Sequence, residues 1–427
     1  MPDTTAKPFG VKFAEAIDYL KAKLPEASLQ WEDLAGPVHA KVFAVAGATN
    51  TDLVRDLHSA VTRAIEQGTT ITQFRKDFDK AVADHGWSYN GQRGWRTRVI
   101  FDTNMRSARM AGRWQQLQAN KANRPYLQYR TAGDMRVRPQ HRQWDGLIYP
   151  IDDVFWSTHY PPNGWGCRCA VRAYGDADLT RDNLEVSKPF EMKTREVITR
   201  DGEIKDRVPV GIDPGWDHNV GKAWVSPEQA LGEKLARLPR ELQGPLVDKT
   251  ISPAFQKVLN EGFKGFRDTV KAASKPQGEV QIVGFFDSAV LQALASRMPS
   301  TEVLSTSVSV LDRKTVKLEG QHKAAKPDAK GKGRRAKGSP SQVWPDEWIN
   351  SLPEQFRNYR AVLWDKVAGS LVVVPQGAFN KTMPKIVIRL NQQTKTGITA
   401  SVVSLGSSDQ STLSNGNLYE LLVGDLK

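Results

Sequence analysis

The chain has 427 residues, of which 39% are hydrophobic and 25% charged, the balance of a folded globular protein rather than a disordered or fibrous one. Lys and Arg outnumber Asp and Glu by 60 to 47, leaving +13 and a pI near 9.6, which points toward polyanionic partners, nucleic acid above all. Two cysteines, Cys167 and Cys169, exclude a disulfide framework, and no apolar run approaches the ~18 residues needed to span a bilayer. The opening MPDTTAKPFG has neither a basic n-region nor an apolar h-region, so a cytosolic origin is expected.

The expected fold class is α+β. Residues 1–90 are read as a helical module. Phe13, Ile17, Leu20 and Leu24 keep helical spacing until Pro25. Asn50 or Thr51 caps a second helix carrying Leu53, Val54, Leu57, Val61 and Ile65 to Gly68. A third runs from near Thr72 through Phe74, Phe78 and Val82 to Gly86. A long helix over about 92–121 places Val99, Ile100, Met110, Trp114 and Leu117 on one arc and Arg98, Arg106, Arg109 and Arg113 on the next. The basic arc reads as a solvated face or as a strip for DNA or an acidic partner.

Beyond Tyr126 the pattern changes to short strands and turns, and residues 91–175 are assigned to a core domain. Within it, RPQHRQWDG (138–146) and FWSTHYPPNGWGCRC (155–169) concentrate His141, His159, Cys167 and Cys169 among tryptophans, prolines and glycines. Two imidazoles and two thiols complete a tetrahedral zinc set by type. In the other reading, the histidines hydrogen-bond buried backbone and the cysteines pack as small core side chains. Arg138 and Arg168 can fork onto phosphate, or onto Asp145, Asp152 and Asp153 in an internal ion-pair network. Trp144, Trp156 and Trp165 are expected to supply buried area, and Pro161, Pro162, Gly164 and Gly166 fixed turns.

Residues 176–250, polar and punctuated by six prolines from Pro189 to Pro245, read as an extended arm or linker decorated with short helices. Residues 251–427 read as a separate α+β domain: helices over 253–273, 288–298 and 346–352, and strands over 280–286, 361–364, 370–374, 385–390 and 399–405, with paired strands over 303–318. A basic low-complexity loop, 323–341, is expected to be disordered and carries Lys326, Lys330, Lys332, Arg334, Arg335 and Lys337 as further phosphate contacts.

The two quoted segments resemble the signature of the phage Mu F-like minor head proteins, with Arg138, Asp145, Gly146, Trp156, Trp165 and Arg168 among the matching positions. The resemblance is close over roughly 90–175. It implies a virion or assembly protein inside the capsid near the portal, passing through the host cytoplasm, with portal, scaffold or major capsid protein and packaged DNA as partners and no membrane. No cofactor beyond the candidate zinc is implied. The absence of G-x4-G-K-[ST], H-E-x-x-H and G-x-S-x-G motifs excludes the packaging ATPase and the maturation protease as identities. The layout of 251–427 resembles nuclease-like toxin modules fused to such proteins. That resemblance implies an inactive, structural or nucleic-acid-binding descendant of such modules or, if active, a metal-independent ribonuclease with His322 as base and Arg357, Lys385 and Arg389 on phosphate; the lack of a second histidine departs from the active form.

Overall fold

The computed structural model describes residues 13–273, 276–297, 305–312, 344–378, 382–394 and 397–427. Two compact units divide the chain, one ending at Lys234 and the other beginning at Leu235. Helices and sheets segregate within them, an α+β arrangement.

The first unit opens with α1 (Ala14–Lys21), followed by the two-residue parallel strands β1 (Leu24–Pro25) and β2 (Val42–Phe43). Next come α2 (Thr51–Gln67), α3 (Ile71–His85) and α4 (Arg93–Ala119). The Asn50 side chain accepts from the Asp52 and Leu53 amides and so starts α2. Gly68 and Gly86, both left-handed, end α2 and α3. Leu53, Val54, Leu57, Val61, Phe74 and Phe78 are buried, as helical periodicity requires.

Three antiparallel strands follow in the order β4–β3–β5: β3 (Tyr126–Arg130), β4 (Ile148–Pro150) and β5 (Ala170–Tyr174). The short helices α5 (Pro139–Trp144) and α6 (Phe155–His159) occupy the two connections. After α7 (Asp176–Arg181) come the hairpin β6 (Thr194–Ile198) and β7 (Ile204–Pro209), then α8 (Val220–Val225) and α9 (Pro227–Arg237). The stretch expected to be an arm with short helices has those helices, and also a β-hairpin and a place in the core. Its Ile212, Trp216, Val220 and Trp224 sit in the same hydrophobic core as Leu53, Phe78, Trp114 and Trp156. That burial offsets the ordering of a proline-rich segment, and the polar composition marks only its outer side.

The second unit holds α10 (Arg240–Thr250), α11 (Pro253–Ala272) and α12 (Ser288–Ala295), then α13 (Asp346–Asn350) and α14 (Leu352–Arg357) where a single helix was expected. Its sheet has seven strands in the order β14–β10–β11–β12–β13–β9–β8. These are β8 (Val280–Phe285), β9 (Ser307–Leu311), β10 (Tyr359–Asp365), β11 (Ser370–Pro375), β12 (Met383–Thr394), β13 (Gly397–Ser408) and β14 (Tyr419–Gly424), the last not foreseen. All pairings are antiparallel except β13 with β9. Alternation sorts the side chains. Val362, Leu371 and Val373 join α11 and α12 in one core, while Ala361, Leu363, Val372 and Val374 pack on the opposite face with Leu413 of α15 (Gln410–Leu413). No helix among the described residues is long and apolar enough to cross a membrane.

Candidate metal centre

Pro139 at the first turn of α5 preorganises a short helix and turns His141 inward. The ring is 2% exposed, and its Nε2 meets the Gly211 carbonyl at 3.0 Å. Only glycine fits at 211. Its φ is +96°, and a Cβ there would stand 2.7 Å from Gln140 Cβ and 3.0 Å from the Trp144 ring. With Nε2–H donating to that carbonyl, Nδ1 presents its lone pair to the two sulfurs, Cys169 Sγ at 3.5 Å and Cys167 Sγ at 3.8 Å. The three donor atoms lie within 4.8 Å of one another, the one such His/Cys/Asp/Glu group found among the described residues.

The sulfurs are delivered by the loop between α6 and β5, which buried hydrogen bonds tie to its surroundings. Asn163 is fully buried. Its Nδ2 donates to the Thr158 carbonyl at 3.1 Å, and its Oδ1 accepts from the Tyr129 hydroxyl at 2.9 Å. The Cys167 amide closes a turn onto the Gly164 carbonyl at 3.1 Å. Cys169 stands one residue before β5, so the sheet fixes its direction. The thiols are free, and their environment splits them. A hydrogen bond from Cys169, helped by His141, holds Cys167 well below the ordinary thiol range, while that bond, burial and the neighbouring charge push Cys169 up.

His159 does not join them. It is buried, stacked on Phe155 at 4.4 Å and set edge-on to Trp144 at 4.7 Å, with Nδ1 paired to the Thr158 hydroxyl at 2.8 Å. Trp144 carries His141 stacked on it at 4.8 Å as well. The expected four-residue set is thus a three-residue set beside an aromatic cluster, because α5 and α6 direct their histidines at different parts of one indole.

The two motif arginines find carboxylates other than Asp145, Asp152 or Asp153. Arg138 forks onto Asp213 at 2.7 and 2.8 Å, and Arg168 onto Asp134 at 2.6 Å through each of two nitrogens. The Arg168 guanidinium holds the Asp134 carboxyl down at about 2. Asp145 accepts from the Thr131 amide, Asp153 from the Phe155 amide, and Asp152 pairs with Lys121. Gly146, at φ +88°, opens the turn into β4. Trp144 and Trp156 are buried, whereas Trp165 is 37% exposed and lies against Trp31 and Trp216. Asp213, Asp134, Gly211, Asn163 and Tyr129 were not singled out from sequence. The Asp-Pro-Gly run at 213–215 announces a turn, yet nothing local announces its partner 75 residues earlier.

On α4, Arg98 and Arg109 are exposed, Arg106 pairs with Asp102 and reaches the Cys167 carbonyl, and Arg113 meets Gln116. In the second unit Arg357 lies 3.7 Å from Asp287 and 3.9 Å from Asp248, burial lowers the pKa of Lys385, and Arg389 is exposed. His322, Lys326, Lys330, Lys332, Arg334, Arg335 and Lys337 lie outside the described residues.

Residues 55–172 match the family model described as Phage Mu protein F like protein. The chain is 28% identical over 408 residues to the "Putative capsid assembly protein F" of Escherichia phage Mu, covering 88% of this chain and 86% of that one. It is 32% identical over 238 residues to the "Mu-like prophage FluMu F protein" of Haemophilus influenzae, covering 50% of this chain and 58% of the relative. No solved structure matches the chain.

Proposed function

The chain belongs to the phage Mu protein F like family, and on that premise we propose that it is a minor head protein acting in the assembly of a tailed-phage capsid. One observation carries the reading: similarity to a protein named for capsid assembly extends over 88% of the chain, more than either compact unit holds. The second unit is therefore part of the shared length, which supports reading both units as one head protein rather than as a carrier with separate cargo.

In finer detail, the protein associates with the portal, sits inside the head near it, and meets scaffold or major capsid protein and packaged DNA. The excess of 60 basic over 47 acidic residues and the exposed Arg98 and Arg109 support the DNA contact, since each phosphate neutralised releases counterions. The motif of the first unit is a rigid interlock of buried side chains and matched ion pairs, a form suited to holding a surface in fixed shape for a neighbouring subunit.

The test is co-assembly. Heads produced in cells lacking this protein, with and without the full chain supplied in trans, are compared for portal incorporation and DNA content, and the purified chain is tested for capture of portal rings. Capture together with restored filling supports the proposal. Normal heads without the protein, or no capture of portal, overturn it. Deleting residues 1–90 is a poor test, because Leu53, Val61, Phe74 and Phe78 belong to the core that also holds Trp156.

A further inference from the structure

The cluster at His141, Cys167 and Cys169 satisfies a condition that ordinary packing does not require. The ring offers one lone pair at Nδ1, since Nε2 is committed to the Gly211 carbonyl at 3.0 Å. Two sulfurs nevertheless converge on that single atom, at 3.5 and 3.8 Å. One S–H can be satisfied there and the other by the neighbouring sulfur, but no hydrogen bond requires both sulfurs to face the same lone pair. A tetrahedral zinc with Zn–S near 2.3 Å and Zn–N near 2.0–2.1 Å sets an N···S edge of about 3.5–3.6 Å. The two distances bracket that edge.

We propose that His141 Nδ1, Cys167 Sγ and Cys169 Sγ bind one Zn²⁺, His159 taking no part. The donor chemistry selects a thiophilic ion, as two sulfurs and an imidazole suit zinc and do not suit magnesium or calcium. The hydrogen bond to Gly211 is the outer partner that a metal-binding histidine ordinarily has, fixing both its tautomer and its ring plane. Charge also balances. Two thiolates neutralise the dication, while Arg138 and Arg168 already face Asp213 and Asp134 and need no charge from the cysteines. Both cysteines bind as thiolates, any thiol proton still present leaving to solvent, and no redox change is involved. Three protein donors leave the fourth tetrahedral position to a small exogenous ligand such as water. The ion would tie α5 to the loop entering β5, two segments that the chain separates by 26 residues.

This inference rests on the cluster's geometry and stands independently of the head-assembly reading. The full-length chain, freed of any affinity tag, is analysed for metal by mass spectrometry. About one zinc per chain is expected. Cys169→Ser and His141→Ala should each reduce it at least tenfold, and His159→Ala should leave it near one. On wild-type protein, titration with a mercurial should release that zinc as two thiols react, and cobalt substitution should give a thiolate-to-cobalt absorption band. These two readouts hold even where a variant does not fold. Metal-free wild-type protein that takes up neither ion, a Cys167–Cys169 disulfide detected as the loss of two hydrogens, or loss of zinc in His159→Ala would each overturn the assignment.

Discussion

Arg138 donates two hydrogen bonds to the carboxylate of Asp213, at 2.7 and 2.8 Å, across 75 residues of chain. The same carboxylate accepts from the Trp165 amide at 2.8 Å, so one aspartate holds the start of α5 and the loop that carries both cysteines. Gly164 lies against the pair, where a Cβ would come within 2.4 Å of Asp213 Oδ2.

Asp213→Ala is expected to cost about 2–3 kcal/mol, the scale of losing charge-assisted hydrogen bonds at a partly exposed site. Arg138→Lys, which keeps the charge and loses the fork, should cost about half of that or less. Urea denaturation followed by tryptophan fluorescence measures both. Equal stability of all three proteins would show the fork to be ornamental.

Lys234 is a second long-range tie, 3% exposed, with Nζ 2.6 Å from Asp206 and 2.9 Å from Asp217. Lys234→Met should lose about 3–5 kcal/mol, because buried Asp217 and partly buried Asp206 both lose this cation. Adding Asp217→Asn to that variant should restore part of the loss. Thermal unfolding of the two variants beside the parent decides it, and the idea fails if the double variant is the weaker.

Burial lowers the ammonium of Lys23, held over the Tyr19 ring, to about 7. The unfolded chain keeps an ordinary lysine near 10.4, so between about 7 and 10.4 it binds more protons than the folded chain. Stability at this residue therefore rises with pH through that window and is lowest below about 7. Lys23→Met should stabilise the protein by roughly 2–4 kcal/mol at pH 6 and flatten the rise, as denaturation midpoints collected from pH 6 to 10 would reveal. An unchanged profile would mean the ammonium reaches water.

Arg98→Gln with Arg109→Gln should weaken nonspecific DNA binding and lower the salt slope by up to about 2 without loss of stability. Arg106→Gln should instead lower stability and leave the slope unaltered, since Arg106 is engaged with Asp102 and the Cys167 carbonyl. Binding isotherms at several salt concentrations separate the two behaviours. A slope that ignores the double substitution removes α4 from the DNA surface.

What the sequence determined by itself was local. Helical spacing and caps placed α2 to α4, with Asn50, Gly68 and Gly86 at the ends seen in the structure, because those signals lie within one turn of the residues they govern; α1 stops at Lys21 rather than Pro25, Leu24 and Pro25 pairing as β1 with β2. The motif at 138–169 was legible too, as a density of Pro, Gly, Trp, His and Cys that no plain helix or strand tolerates; the family match begins earlier, at residue 55. Partnership was decided only by the tertiary structure. Cys167 and Cys169 meet His141 rather than both histidines, Arg138 meets Asp213 rather than a neighbouring carboxylate, and the segment around Trp216 enters the core instead of wandering. Residue type states which bonds a side chain can form. Which one forms depends on what the rest of the chain brings within about 3 Å, and a linear pattern carries no such distance.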